Sequence, residues 1–136
     1  MEESDIYLFT SDRAEGWGAV LNESMNSACA VVSSPEPGAA PFLIKDGYNG
    51  LFFKNHDWCD MSRKVMWLID NPVERKRMAR EAYITMVGQW SPKVAAANLV
   101  SLIRSVRDGR KPEISDGPCS KAGYLPQGWY KCGKNE

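Results

Sequence analysis

The spacing of apolar residues changes several times along the chain, and each change predicts an element. Ile6-Tyr7-Leu8-Phe9 is a continuous apolar run ending in Thr10-Ser11-Asp12, the pattern of a strand buried on both faces. Gly16 and Gly18 punctuate a loop. Trp17, Val20, Leu21, Ser24, Met25 and Ala28 then recur at offsets of three and four, which places them on one stripe of a helix. Cys29-Ala30-Val31-Val32-Ser33 predicts a second buried strand. Pro35, Pro37 and Gly38 mark a loop, and Pro41 to Ile44 suits one helical turn. Asp46-Gly47 and Asn49-Gly50 flank a tight turn into a third strand, Leu51-Phe52-Phe53.

Beyond that strand the period is helical. Trp58, Met61, Val65, Leu68 and Ile69 form one stripe, and Asn71-Pro72 ends it and starts another, with Asn71 as N-cap, Pro72 at N1 and Glu74 at N3. Arg75, Met78, Ala79, Ala82, Tyr83 and Met86 continue to Gly88. Ser91-Pro92 repeats the cap, and Ala95, Leu99, Leu102, Ile103 and Val106 are expected to face inward until Gly109 closes the helix. Residues 110–136 are rich in Pro, Gly, Lys and Ser, without period. Only Tyr124, Trp129 and Tyr130 offer apolar anchors there, so an irregular tail on the surface or in solvent is expected.

Strands alternating with helices predict an α/β fold with a parallel sheet and right-handed crossovers. Three strands are too few to bury and pair each other fully. Residues 1–109 therefore read as half of a doubly wound Rossmann-like domain, about three parallel strands flanked by helices.

Composition narrows the functional classes. The 136 residues hold 17 Lys plus Arg against 17 Asp plus Glu, so no basic surplus speaks for nucleic acid. No apolar run approaches the roughly 20 residues that span a bilayer. Met1-Glu2-Glu3-Ser4 lacks the basic and apolar regions of a secretory signal, which gives the expectation of a cytoplasmic protein, free or at the inner face of a membrane. Cys29, Cys59, Cys119 and Cys132 form no Cys-x-x-Cys pair and His56 is the only histidine, so no metal is expected and the thiols read as free.

The segment from Ser11 to Glu23 holds the chemistry. Glu15 lies on the loop after a strand, the crevice where open α/β sheets bind ligands. Gly16 and Gly18 let a ligand approach the backbone. The amides of Gly18, Ala19 and Val20 begin the helix without intrahelical partners and suit a diphosphate. Glu23 follows two turns later, beside the apolar stripe.

This segment resembles the Glu-x7-Glu motif of glycosyltransferase family 4, a large retaining GT-B family with Ser-x-x-Glu-Gly-Phe-Gly before its second glutamate. Glu23 through Ser34 is similar to the family's Glu-Ala-Met-Ala-x-Gly-x-Pro-Val-Val-Ala-Ser, and Asp46-Gly47-Tyr48-Asn49-Gly50-Leu51 to its Asp-Gly-x-Asn-Gly-Leu. Asn71-Pro72 and Gln89-Trp90-Ser91 also fall in place, so the likeness covers residues 5 to 107. It implies the nucleotide-sugar-binding part of a retaining glycosyltransferase, in a bacterial type that makes surface polysaccharide or lipopolysaccharide. Glu15 would act as the catalytic glutamate on the donor sugar. Gly16, Trp17, Gly18, Ala19 and Val20 would line the donor, and Glu23 would bond the ribose. The donor would be a substrate such as a UDP- or GDP-sugar, with no cofactor or metal. The acceptor domain, a basic diphosphate clamp and the strand that neighbours Ile6-Tyr7-Leu8-Phe9 in the family's sheet would lie upstream, leaving this chain inactive alone and that strand with an open edge. Such an edge is expected to recruit a second copy, most simply in a homodimer with Tyr7 and Phe9 near a two-fold axis, with a tail folded back through Tyr124, Trp129 and Tyr130 as the competing outcome. Phe42 stands where the family has a glutamate, so any role of that carboxylate is lost.

Other readings compete. Glu15 also reads as a plain carboxylate at a helix N-terminus, stabilised by the helix dipole, and Glu23 as a solvated helix residue; Trp17 heads the apolar stripe and so reads as a packing residue, and His56 as a structural or surface residue. Arg75-Lys76-Arg77 and Arg80 read either as a contact for an anionic membrane, as in some members of the family, or as a solvated face, the reading favoured because Glu74 and Glu81 dilute the run. A binding or association module without catalysis is the alternative function.

Overall fold

The computed structural model describes residues 3–121 and 123. Strand β1 (Ile6–Phe9) leads into α1 (Ala19–Asn26), then β2 (Ala30–Ser33), α2 (Ala40–Leu43) and β3 (Leu51–Phe52). Three helices follow: α3 (Trp58–Asp70), α4 (Pro72–Gln89) and α5 (Pro92–Arg107). The strands form a parallel sheet in the order β1-β2-β3, with Tyr7 beside Val31 and Val32 beside Leu51.

The period-two alternation of β2 divides the core. Val31 enters one cluster with Phe9, Leu21, Met25, Leu43 and Met86, under α1 and α2. Val32 enters the other with Leu51, Phe53, Leu68 and Met78, under α3. Helix α4 serves both, with Met78 and Ala79 in the second and Ala82 and Met86 in the first. Every residue of β2 is buried, as its apolar run predicts. Burying a side chain such as Val31 or Leu21 contributes about 1.5–3 kcal/mol each.

Several expectations need correction. β1 is not buried on both faces: Leu8 is exposed, because β1 pairs with β2 alone among the described strands and forms an edge. Phe9, by contrast, is already buried, so pairing along the open edge would cover Leu8 rather than Phe9. The α1 stripe narrows to Leu21, Ser24 and Met25; Trp17 and Val20 lie outside it, and Ala28 is exposed in a left-handed turn (φ 54°). Asn71 holds the N-cap position of α4 with Pro72 after it, but only its carbonyl serves that helix, accepting from Arg75 N (2.9 Å); its side-chain amide donates to Trp67 O at the end of α3 (2.8 Å), and Glu74 pairs with Arg77. The apolar stripe of α5 does not face inward: Leu99, Ile103 and Val106 are exposed, because no described element lies against them.

The ends of α5 follow the sequence closely. Ser91 Oγ accepts from Val94 N (3.3 Å), and Gly109 is left-handed (φ 65°), which lets Arg110 N reach Ser105 O (2.8 Å). Residues 110–121 are irregular, with Asn98 Nδ2 donating to Pro118 O (2.9 Å). Cys29 is buried, with its Sγ donating to Ser4 O (3.2 Å), and Cys59 and Cys119 form no disulfide among the described residues. Tyr124, Trp129, Tyr130 and Cys132 lie outside the described residues.

Candidate functional site

The three loops at the carboxyl ends of the strands are laced together. Asp12 Oδ1 accepts from Ala14 N (2.8 Å) and Asp12 O from Glu15 N (3.1 Å), an Asx turn that folds the first loop back on itself. Gly38 N then donates to Gly16 O (3.0 Å) and Ala39 N to Trp17 O (2.9 Å), joining the second loop to the first. Glycine is required at 38, since a Cβ there would sit 2.4 Å from Gly16 O. Gly18 is the left-handed N-cap of α1 (φ 81°), and a Cβ there would meet the Phe9 ring at 2.7 Å.

This lacing uses the carbonyls of Gly16 and Trp17 and leaves the amides that follow Glu15 open. Among the described residues, none accepts from the amides of Gly16, Trp17, Gly18, Ala19 or Val20. Five successive unpaired N–H groups at a strand-to-helix turn form a place where an anion is favoured. Glu15 and Glu23 are both exposed and flank the same edge. Burial pushes the Tyr7 phenol above its ordinary pKa, and the charges of Glu23 and Glu15 raise it further, so both carboxylates lie near this β1 side chain.

Trp17 is neither core nor open surface. Its ring stacks on Phe42 (6.0 Å, 21°) and tilts against Trp90 (5.8 Å, 41°), while Nε1 donates to Asn22 Oδ1 (2.9 Å). The phenylalanine that stands in the glutamate's place thus braces the motif tryptophan. Glu23, Asn22, Asn26 and Trp90 line a cavity of about 360 Å³ alongside.

The sequence reading missed a second polar network. Glu36, almost buried between two prolines, accepts from Arg13 N (3.2 Å) and from Asn55 Nδ2 (2.7 Å). Ser34 Oγ accepts from Glu36 N and donates to Asn55 Oδ1, both at 3.2 Å. His56 Nε2 approaches Glu36 Oε1 at 3.9 Å, from a left-handed backbone (φ 60°) that favours glycine. The network ties the third loop to the first two. Its only sequence signal was the Ser33-Ser34 doublet that ends the second apolar run.

No group of three or more His, Cys, Asp or Glu side chains fit to hold a metal occurs among the described residues. No described helix is long and apolar enough to cross a membrane.

The family model described as glycosyl transferases group 1 matches residues 1–85, more than half of the chain. The chain belongs to the glycosyl transferases group 1 family. It is similar to two uncharacterized glycosyltransferases of Methanocaldococcus jannaschii. One is 36% identical over 76 residues (56% of this chain, 19% of the relative). The other is 29% identical over 110 residues (81% and 28%). A solved structure with a like fold is the C-terminal domain of a glycosyl transferase group 1 family protein (LpcC) from Francisella tularensis. It superposes with a TM-score of 0.60 at 28% identity, over 65% of this chain and 44% of that one. The chain thus spans less than a third of the length of these curated relatives. The α/β architecture of three parallel strands flanked by helices matches this group 1 glycosyltransferase domain.

Proposed function

We propose that this group 1 glycosyltransferase chain is the nucleotide-sugar-binding part of a retaining enzyme whose acceptor domain lies elsewhere. The observation that carries the reading is the row of open amides from Gly16 to Val20, between two exposed glutamates, at the carboxyl end of β1. The amides receive the donor's diphosphate and offset the charge that builds on it as the sugar departs, so the reaction needs no metal. Glu15, at the head of the loop, bonds a hydroxyl of the sugar. Glu23, within α1, bonds the ribose. The UDP- or GDP-sugar is a substrate, and the product is a surface polysaccharide or lipopolysaccharide.

Roles divided in this way separate kinetically in the enzyme that includes the acceptor domain. Glu23→Ala removes a contact present in both ground and transition states, and raises KM. Glu15→Ala removes one that strengthens as the sugar gains oxocarbenium character, and lowers kcat. The reverse ranking would show the two roles exchanged. Donor binding without turnover in that enzyme would favour a binding module instead.

A further inference from the structure

The crevice lies at the carboxyl ends of the strands, but a second cavity lies at their amino ends. Asp5 just before β1, Ala28 just before β2, and Arg75, Lys76, Arg80 and Tyr83 of α4 surround a space of about 300 Å³.

The donors around this cavity outnumber its acceptors. Arg75 is held from below: Nη1 donates to Leu68 O (3.0 Å) and Nη2 lies 3.8 Å from Asp5 Oδ2. Its Nε is buried and has no acceptor among the described residues. Lys76 and Arg80 have no carboxylate within 4 Å among the described residues, and the exposed Tyr83 hydroxyl has no hydrogen-bond partner there. Asp5 is the one acid on the wall, and it faces Arg75. Three cations thus meet one anion in a chain whose overall charge is zero.

We propose that this cavity is a binding site for a phosphate-bearing ligand, separate from the donor crevice. A carboxylate presents two oxygens, whereas a terminal phosphate presents three acceptor oxygens to donors arriving from Arg75, Lys76, Arg80 and Tyr83. The methyl groups of Ala28 and Ala79 and the ring of Tyr83 give the cavity an apolar wall, which suits a phosphate attached to an apolar or aromatic body. Such a ligand comes either free in solution or as a lipid headgroup.

Amide NMR of the chain during titration with pyrophosphate, at fixed ionic strength, tests the site. Saturable shifts are expected at residue 28 and at residues 75–83. Lys76→Glu with Arg80→Glu should weaken them about tenfold or more, because charge-assisted bonds are replaced by repulsion. Both residues are exposed, so thermal unfolding of that variant should match the parent. Sedimentation with phosphatidylglycerol vesicles, against phosphatidylcholine vesicles, separates the sources. Pelleting that pyrophosphate reverses identifies a headgroup, and pyrophosphate binding without pelleting identifies a soluble ligand. Shifts no larger than those from sodium chloride at equal ionic strength, with no pelleting, would overturn the proposal, as would saturable shifts of equal affinity in the variant. Residues 16–20 report the donor crevice separately, so the two sites succeed or fail independently.

Discussion

Gly38→Ala is the perturbation that bears most directly on how the crevice is built. The added Cβ would lie 2.4 Å from Gly16 O, and ordinary contact begins near 3.4 Å, so the two loops must part by about 1 Å. That movement takes the bonds Gly38 N to Gly16 O (3.0 Å) and Ala39 N to Trp17 O (2.9 Å) beyond useful length. At about 0.5–1.5 kcal/mol each, their loss costs about 1–3 kcal/mol in total. Gly16→Ala is the control. Nothing lies within 4 Å of a Cβ at 16, so its stability should stay within about 0.5 kcal/mol of the parent. Urea unfolding followed by tryptophan fluorescence gives both values. The amide shifts of residues 16–20 report whether the loop has moved. A Gly38→Ala protein as stable as the parent, with those shifts unchanged, would refute the idea that the lacing holds the open amides in place.

Three further outcomes are expected of the same fold. Asn49 is fully buried and bonds Lys45 N (2.7 Å), Leu43 O (2.9 Å) and Thr85 Oγ1 (3.0 Å), so Asn49→Ala should cost about 3 kcal/mol in urea unfolding, and a loss below about 1 would contradict its bracing role. The Lys54 amide, followed by the Arg63 guanidinium, holds the Asp60 carboxyl below its ordinary pKa. A depressed folded-state value contributes stability above the unfolded pKa of about 3.9 and loses it as pH falls through the folded value, so Asp60→Asn should flatten the stability profile below about pH 4; parallel profiles would count against this. The open edge of β1 should pair two copies, and light scattering over a concentration series should show a dimer that Leu8→Lys dissolves, whereas a monomer throughout would rule this out.

Elements governed by local spacing were legible in the sequence. The apolar run at 29–32 led into a fully buried strand, and Ser91-Pro92 and Gly109 bounded α5 because caps depend on neighbouring backbone. What could not be read was the fate of faces whose neighbours lie far along the chain. An apolar stripe on α5 looks the same whether covered or bare, and the edge position of β1 follows from sheet order rather than from Ile6 to Phe9 themselves. In the site, Glu15, Gly16, Gly18 and Glu23 were visible as a motif. Glu36, Asn55 and the Gly38–Gly16 join were not, because each depends on loops that meet only after the strands pair. Asn49 looked like turn chemistry and became a buried brace, for the same reason.

The central claim is that the open amides after Glu15 receive the diphosphate of a nucleotide-sugar. Titration of the chain with UDP and with GDP, followed by amide NMR, tests it most directly. The account predicts weak but saturable shifts centred on Gly16, Trp17, Gly18, Ala19 and Val20 and extending to Glu23. Saturable shifts confined to residues 72–90, with residues 16–20 unmoved by either nucleotide, would contradict it.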